Sequence, residues 1–369
     1  MTKVVNGVRA RATLLATVAA LLVALTAGCS GTSGPATAAV DGGRRLADVT
    51  PVADPRAVTG PSTAVVADSA VRPVTDAPDP QLPVTVTDAQ GTAVTVTDVS
   101  RVLALDVYGT LARTVFELGL GDHVVGRDLS STFAEIADRP LVTAAGHDLS
   151  AEAILDLAPT VILTDTTLGP WDVVLQVRDA GIPVVVVDSH RDVHGVPDLV
   201  RQVAAGLGVP DAGEQLAQRV QAEVDATIAQ IAAVAPADPA DRLRIVFLYA
   251  RGQAGVYYLF ADDSGADSLI EAVGGIDVAG EVGLDGMRPL TDEGMVAAAP
   301  DVVLMMSDGL ESVGGVDGLL EQLPAVASTP AGERRRVVDM ADSQVLSFGP
   351  ATADVLEALA VALYAPEQP

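Results

Sequence analysis

Cysteine is almost absent from this chain. Cys29 is the only one in 369 residues, so no disulfide can form within the molecule and its fold must be held by packing and polar contacts. Aromatic residues are nearly as scarce, at five Phe, five Tyr and one Trp, and histidine occurs four times. Basic residues are outnumbered, with 22 Lys and Arg against 49 Asp and Glu and a net charge of −27. Such a surface repels nucleic acid and anionic headgroups, which excludes both as partners. No P-loop, His-Glu-x-x-His or Gly-x-Ser-x-Gly string occurs, so three common enzyme signatures have no support. Beyond the N-terminus no apolar run is long enough to span a bilayer.

What is present begins at that N-terminus. Lys3, Arg9 and Arg11 precede an uncharged stretch from Ala12 to Gly28 that ends in small residues, the pattern of a signal peptide over residues 1–28. Cys29 follows Leu25-Thr-Ala-Gly28 directly and resembles the lipobox of bacterial lipoproteins, although Leu stands one position further from the cysteine than that pattern has it. The expectation is a chain lipidated at Cys29, extracytoplasmic, and in contact with the cell membrane through that anchor only. Removing residues 1–28 takes away three basic residues and no acidic one, which leaves 19 against 49. Residues 29–82 are rich in Gly, Ser, Thr, Pro, Ala and Asp without apolar periodicity, and read as a disordered tether.

The ordered part carries an internal repeat. Leu149 to Leu163 returns as Leu290 to Leu304, with six of fifteen positions identical. In each copy a hydroxyl suited to N-capping, Ser150 or Thr291, precedes Glu152 or Glu293 by two residues, which suits the positive end of a helix. Each copy then meets Ala-Pro, which ends a helix, and enters an apolar β-branched strand. One unit used twice, 141 residues apart, predicts two similar lobes.

Elsewhere, Val84-Thr-Val-Thr and Val94-Thr-Val-Thr flank Asp88-Ala-Gln-Gly91 as a hairpin. Short apolar strands near 102–105, 161–163 and 184–187 alternate with helical stretches, the α/β pattern with a largely parallel sheet. Leu216, Val220, Val224, Ile228 and Ile231 form one stripe on a helix over about 212–233. Further strands near 245–248, 256–259, 302–305 and 337–340 follow, and a helix over 352–364 closes the chain. The expected architecture is two similar α/β lobes joined by one long helix, with a ligand cleft between them. Residues 83–208 form the N-terminal lobe, 209–237 the connector and 238–369 the C-terminal lobe.

Ligands of such an architecture bind where loops of both lobes converge. His147 lies two residues ahead of the first repeat copy, and Arg288 holds the same place ahead of the second, so approximate symmetry would turn both into the cleft. Tyr249 and Arg251, two apart on a predicted strand, point to one face. A cation beside a phenol favours phenolate, a hard ligand suited to ferric iron. His190 and His194 could share a helix face as metal ligands, or simply belong to a polar loop leading into a helix; His123 reads as a solvated turn residue.

Over about residues 84–364 the sequence resembles the substrate-binding lipoproteins of bacterial ABC importers that have a rigid connecting helix. Within them it is most similar to the haemin-binding lipoproteins of actinobacterial haem uptake. The runs that carry the likeness are Leu105-Asp-Val-Tyr-Gly-Thr-Leu111, Gly119-Leu-Gly-Asp-His-Val-Val-Gly-Arg-Asp128, Gly146-His-Asp-Leu-Ser-Ala-Glu152, Leu168-Gly-Pro-Trp-Asp172 and Tyr249-Ala-Arg-Gly-Gln253. The resemblance implies a protein that performs no catalysis, captures ferric haem and delivers it to an ABC permease with its ATPase, as a monomer. It implies His147 and Tyr249 as axial ligands of the haem iron and Arg251 hydrogen-bonded to Tyr249. It also implies Glu152 and Glu293 as permease-docking residues. Ala351 stands where relatives carry an arginine, leaving Arg288 and Arg127 as the propionate partners. A ferric siderophore or cobalamin on the same fold is the alternative cargo.

Overall fold

The computed structural model describes residues 42–367; the expected signal peptide and Cys29 lie outside the described residues. The first strand, β1 (Ser62–Ala64), precedes the hairpin of β2 (Val84–Thr87) and β3 (Ala93–Val96). In that hairpin the Asp88 carboxylate accepts from the backbone N–H groups of Gln90 and Thr92, and Gly91 takes a positive φ of 77°. This is turn chemistry that Asp and Gly supply without strain.

The N-terminal lobe is built on β4 (Val102–Leu105), the two-residue strands β5 (Thr143–Ala144) and β6 (Asp148–Leu149), β7 (Val161–Thr164) and β8 (Val184–Val186). Strands β4, β7 and β8 form a parallel sheet in that order, and all of their residues are buried. Burial on both faces is why these strands read as continuous apolar runs rather than alternating ones.

The C-terminal lobe contains β9 (Arg244–Arg251), β10 (Val256–Phe260), β11 (Ile276–Asp277), β12 (Met287–Pro289), β13 (Val302–Met306) and β14 (Val337–Met340). The sheet order is β1-β14-β13-β9-β10-β12, with β11 also paired to β9. Strands β1, β14, β13 and β9 run parallel, while β10 is antiparallel to both β9 and β12.

Between the lobes runs the helix Pro210–Ala232, 23 residues long, burying Leu216, Val220, Val224 and Ile231. At 1.5 Å per residue it spans about 35 Å. Its stripe belongs to one apolar cluster holding Val161 and Leu163 of the first sheet, Phe247 and Leu304 of the second, and Leu356 and Leu359 of the closing helix Thr352–Tyr364. The outer face of each sheet packs separately. The lobes therefore share a core, and moving one against the other would expose apolar surface at about 25 cal/mol per Å².

The repeat is visible in the backbone. The Ser150 hydroxyl accepts from Ala153 N–H and the Thr291 hydroxyl from Gly294 N–H, capping the helices Ala151–Asp156 and Asp292–Ala298. Ala158 and Ala299, the residues before the two prolines, both take positive φ, at 43° and 41°.

The expected tether over residues 29–82 does not hold from Gly42 onward. Strand β1 extends the C-terminal sheet along β14, pairing Ser62 with Val338. The buried Arg336 guanidinium donates to Ser62 Oγ and to the carbonyl of Ala362. Further on, Arg113 donates to the carbonyls of Ser69 and Ala70, and Glu117 accepts from Arg72 N–H. Glu117 is buried and also pairs with Arg113 and Arg219 at 2.9 and 2.7 Å. The segment has no periodicity because it forms no layer of its own. Distant backbone and side-chain partners hold it instead. Removing residues 42–66 should cost about 2–3 kcal/mol, since Arg336 loses partners and β14 becomes an open edge. Chemical denaturation of the truncated and full chains measures this, and a tether would leave stability unchanged.

Candidate functional site

His147 sits in the three-residue loop of the β5–β6 hairpin, where Thr143 pairs with Leu149 and Ala144 with Asp148. Ala145 and Gly146 take φ of 46° and 88°, which turns the chain within the fewest residues and leaves the imidazole at its tip. The loop Leu168–Trp171 flanks it, with the Gly169 carbonyl accepting from Leu149 N–H. His147 keeps its ring accessible at the hairpin tip, while the protein around it displaces part of its hydration and so lowers its pKa, an effect to which the positive charge of Arg251 adds and which Asp148 opposes. A residue of the N-terminal lobe thus lies within electrostatic reach of a charge on the C-terminal lobe.

On the opposing side, β9 alternates cleanly. Val246, Leu248 and Ala250 face the outer core, while Phe247, Tyr249 and Arg251 share the other face. Phe260 of β10 stacks on Phe247 at 5.2 Å and on Tyr249 at 5.8 Å between ring centroids. Tyr258 lies directly across from Tyr249 in register, and Met287 of β12 across from Phe260. Four of the chain's few aromatic side chains therefore line one face of this strand pair. This is a flat apolar face suited to a planar ligand. Strand alternation could have disclosed Phe247, but Tyr258, Phe260 and Met287 become neighbours only through pairing across strands.

Arg251 departs from the expected geometry. Its guanidinium carbon lies 4.7 Å from the Tyr249 ring centroid, over the ring face rather than at the hydroxyl. Nη2 is held by Asp342 at 3.2 Å, and Asp342 also accepts from Asp308 N–H. The stack is a cation–π contact. Among the described residues no hydrogen bond to the Tyr249 hydroxyl is formed, so that oxygen is available to a ligand.

Arg288 is not brought alongside. Register places it opposite Leu259, on the sheet face that carries Leu248, and it pairs with Asp285 at 3.7 Å. The repeat suggested equivalence with His147, but His147 is in a loop and Arg288 within a paired strand, so parity decides where each points. Arg127 is half-buried, with Nη1 on the carbonyls of Asp128 and Ser131 at 3.3 and 3.4 Å. Glu152 and Glu293 are exposed on equivalent helices, and neither forms an ion pair among the described residues. His190 and His194 lie in a loop ahead of the helix Val196–Gly206, and His123 is tied to the Val99 carbonyl at 2.7 Å instead of being solvated.

Between the lobes a cavity of about 270 Å³ is lined by Tyr108, Phe133, Thr132, Ser343, Gln344 and Ala351. Thr132 Oγ1 donates to Ser343 Oγ across the lobe boundary at 2.9 Å. Beside Tyr108 lie three buried carboxylates, Asp106, Asp128 and Asp165, and one buried guanidinium, Arg191, which pairs with Asp165 at 2.7 Å and Asp106 at 3.7 Å, while Asp128 accepts from the Asp106 and Ser131 N–H groups. One cation does not neutralise three anions. Burial, reinforced by the charges of Asp128 and Asp165, raises Asp106 to about 8. The folded state then holds a proton that the unfolded chain releases near pH 4, so stability falls as pH rises from about 4 to about 8. Asp106→Asn should flatten that decline. Denaturation midpoints at pH 5 and pH 8 check it, the wild type losing more between them than the variant.

A two-lobed molecule with a shared core, offering an imidazole from one lobe and a phenol on an aromatic face from the other, belongs to the class of ligand-binding proteins. Residues 107–343 match the family model described as periplasmic binding protein, and the chain belongs to this family. Its structure is similar to that of the heme binding protein HmuT, at 44% identity and a TM-score of 0.79 over 85% of this chain and 99% of that one. It is also similar to the periplasmic heme-binding protein RhuT from Roseiflexus sp. RS-1, at 36% identity and a TM-score of 0.66, covering 72% of this chain and 98% of that one. Among curated proteins it resembles an uncharacterized ABC transporter substrate-binding lipoprotein, YvrC of Bacillus subtilis (strain 168). The two are 23% identical over 287 residues, 76% of this chain and 86% of that protein. Among the described residues no helix is long and apolar enough to cross a membrane.

Proposed function

We propose that this protein is an extracytoplasmic haem-binding protein of an ABC importer, anchored through lipid on Cys29 and performing no catalysis. The observation that carries the reading is the aromatic face of β9 and β10, on which Tyr249 presents a hydroxyl without a hydrogen-bond partner among the described residues and Arg251 lies over its ring, with His147 at a hairpin tip of the other lobe. The lowered pKa favours the neutral imidazole that a metal requires. The solved relatives with HmuT in their names include forms in which a histidine, a tyrosine or an arginine is replaced by alanine. The replaced tyrosine and arginine stand two positions apart, as Tyr249 and Arg251 do.

Ferric haem would be clamped between His147 and Tyr249, with its macrocycle against Phe260, Tyr258 and Met287. Arg251 would keep its positive charge over the Tyr249 ring, on the face the ligand meets. Two axial ligands leave no open coordination position on the iron, which is the physical reason to expect carriage rather than turnover. Arg288 drops out as a propionate partner because its strand position faces away, and Arg127 stays as the basic candidate. Glu152 and Glu293, exposed and without an ion pair among the described residues, fit docking on a permease with one cationic contact per lobe. The molecule acts as a monomer, since its two lobes already supply both halves of the site.

Haemin titration followed by absorbance tests this. The wild type should develop a Soret band that weakens in both His147→Ala and Tyr249→Phe, with haem affinity reduced at least about tenfold in each and about tenfold in Arg251→Ala. Unchanged spectra in both ligand variants would overturn the haem reading in favour of a ferric siderophore or cobalamin.

A further inference from the structure

The two copies of the repeat share more than their glutamates. Among the described residues five large apolar side chains are exposed: Leu141, Leu155, Leu175, Met287 and Val296. Leu155 and Val296 occupy equivalent positions, 141 residues apart, the same offset that relates Glu152 to Glu293. Each follows its glutamate by three residues within one helix, so carboxylate and apolar side chain stand on one helix face. The burial pattern repeats with them. Ile154 and Met295 point into the two outer cores, while Glu152, Leu155 and Asp156 in one copy, and Glu293, Val296 and Ala297 in the other, face solvent.

A single exposed leucine needs no explanation, because much of any protein surface is apolar. Two at matched positions are different. Leu155 is 41% and Val296 54% exposed, and the core contact of each helix is already made by the neighbouring Ile154 or Met295. About half of each side chain is left uncovered by the fold. Leu141, also exposed, adjoins the first copy, since Ser150 N–H bonds to the carbonyl of its neighbour Val142.

We propose that Leu155 and Val296, with Glu152 and Glu293, form a two-point docking surface for a permease whose two equivalent subunits each present a cation beside an apolar pocket. This rests on the transport reading above. The occupant follows from the surface itself. A motif shown twice calls for a partner that repeats its own contact. Carboxylates without an ion pair among the described residues, on a chain of net charge −27, call for cations. An apolar side chain one turn from each carboxylate calls for a pocket that a merely electrostatic contact would lack. In such an interface charge steers the encounter, and the desolvated apolar contact slows dissociation.

The test uses the haem-loaded full chain and the permease–ATPase complex of the same organism in lipid nanodiscs, with binding read by biolayer interferometry. Leu155→Asp and Val296→Asp should each weaken binding about tenfold, and the double variant about a hundredfold, as buried interface anchors do. Leu155→Met and Val296→Ile should bind like the wild type, and so should Leu175→Asp, which lies outside the repeat. The Soret spectrum of each variant should be unchanged, which reports a folded, loaded protein. If the double variant binds as tightly as the wild type while Glu152→Ala with Glu293→Ala does not bind, the apolar contact is overturned and docking through the glutamates stands. If loss follows only one of the two apolar positions, the paired surface is overturned. If the wild type does not bind the complex at all, the transport reading falls and this inference falls with it.

Discussion

The arrangement of this molecule depends on a single apolar core that does not stop at the boundary between lobes. Val161 and Leu163 of one sheet, Leu216 and Val220 of the long helix, and Phe247 and Leu304 of the other sheet belong to the same buried cluster. A hinge between lobes would have to open that cluster, at a cost that grows with every apolar side chain exposed. The connector is therefore a structural member, and the distance between the His147 hairpin and β9 is set by packing rather than left to ligand-driven closure. The segment from Gly42 to Leu82 adds to this by binding the C-terminal sheet edge at β1 and the N-terminal lobe through Arg113 and Glu117.

On that frame a sequence poor in aromatic residues gathers four of them on one face. Phe247, Tyr249, Phe260 and Tyr258 share one face of one strand pair, and Arg251 closes the row with its charge over a ring and its Nη2 on Asp342. The other lobe supplies an imidazole at a hairpin tip, whose partial desolvation and the charge of Arg251 favour the neutral form. A planar, iron-containing ligand satisfies all of these features together. A small polar solute would leave the aromatic face unused.

Much of this was legible in the sequence, for identifiable reasons. The long helix and the closing helix announce themselves by apolar spacing, the β2–β3 hairpin by alternation around Asp88 and Gly91, and the two lobes by the repeat. Tyr249 and Arg251 share a face because strands have a period of two. What was not legible depends on contacts far apart in the chain. β1 looks like linker because its partner β14 lies more than 270 residues away, and composition carries no trace of a buried arginine such as Arg336 waiting for Ser62. Arg288 was misplaced because the repeat predicts symmetry of the helices but not of the loops ahead of them. The chain there is a hairpin tip in one copy and a paired strand in the other, so equivalent positions face different ways. The cation–π contact of Arg251 was likewise out of reach, since it depends on where Asp342 places the guanidinium.

The central claim is that cargo iron links the two lobes. The most direct measurement is an anomalous-scattering map at the iron edge from crystals of the haem-loaded protein. The account predicts one iron peak within bonding distance of a His147 ring nitrogen on one side and the Tyr249 hydroxyl oxygen on the other, with Arg251 still stacked on the Tyr249 ring. An iron bound by residues of one lobe only, or lying away from the face formed by Phe260 and Tyr258, would contradict it.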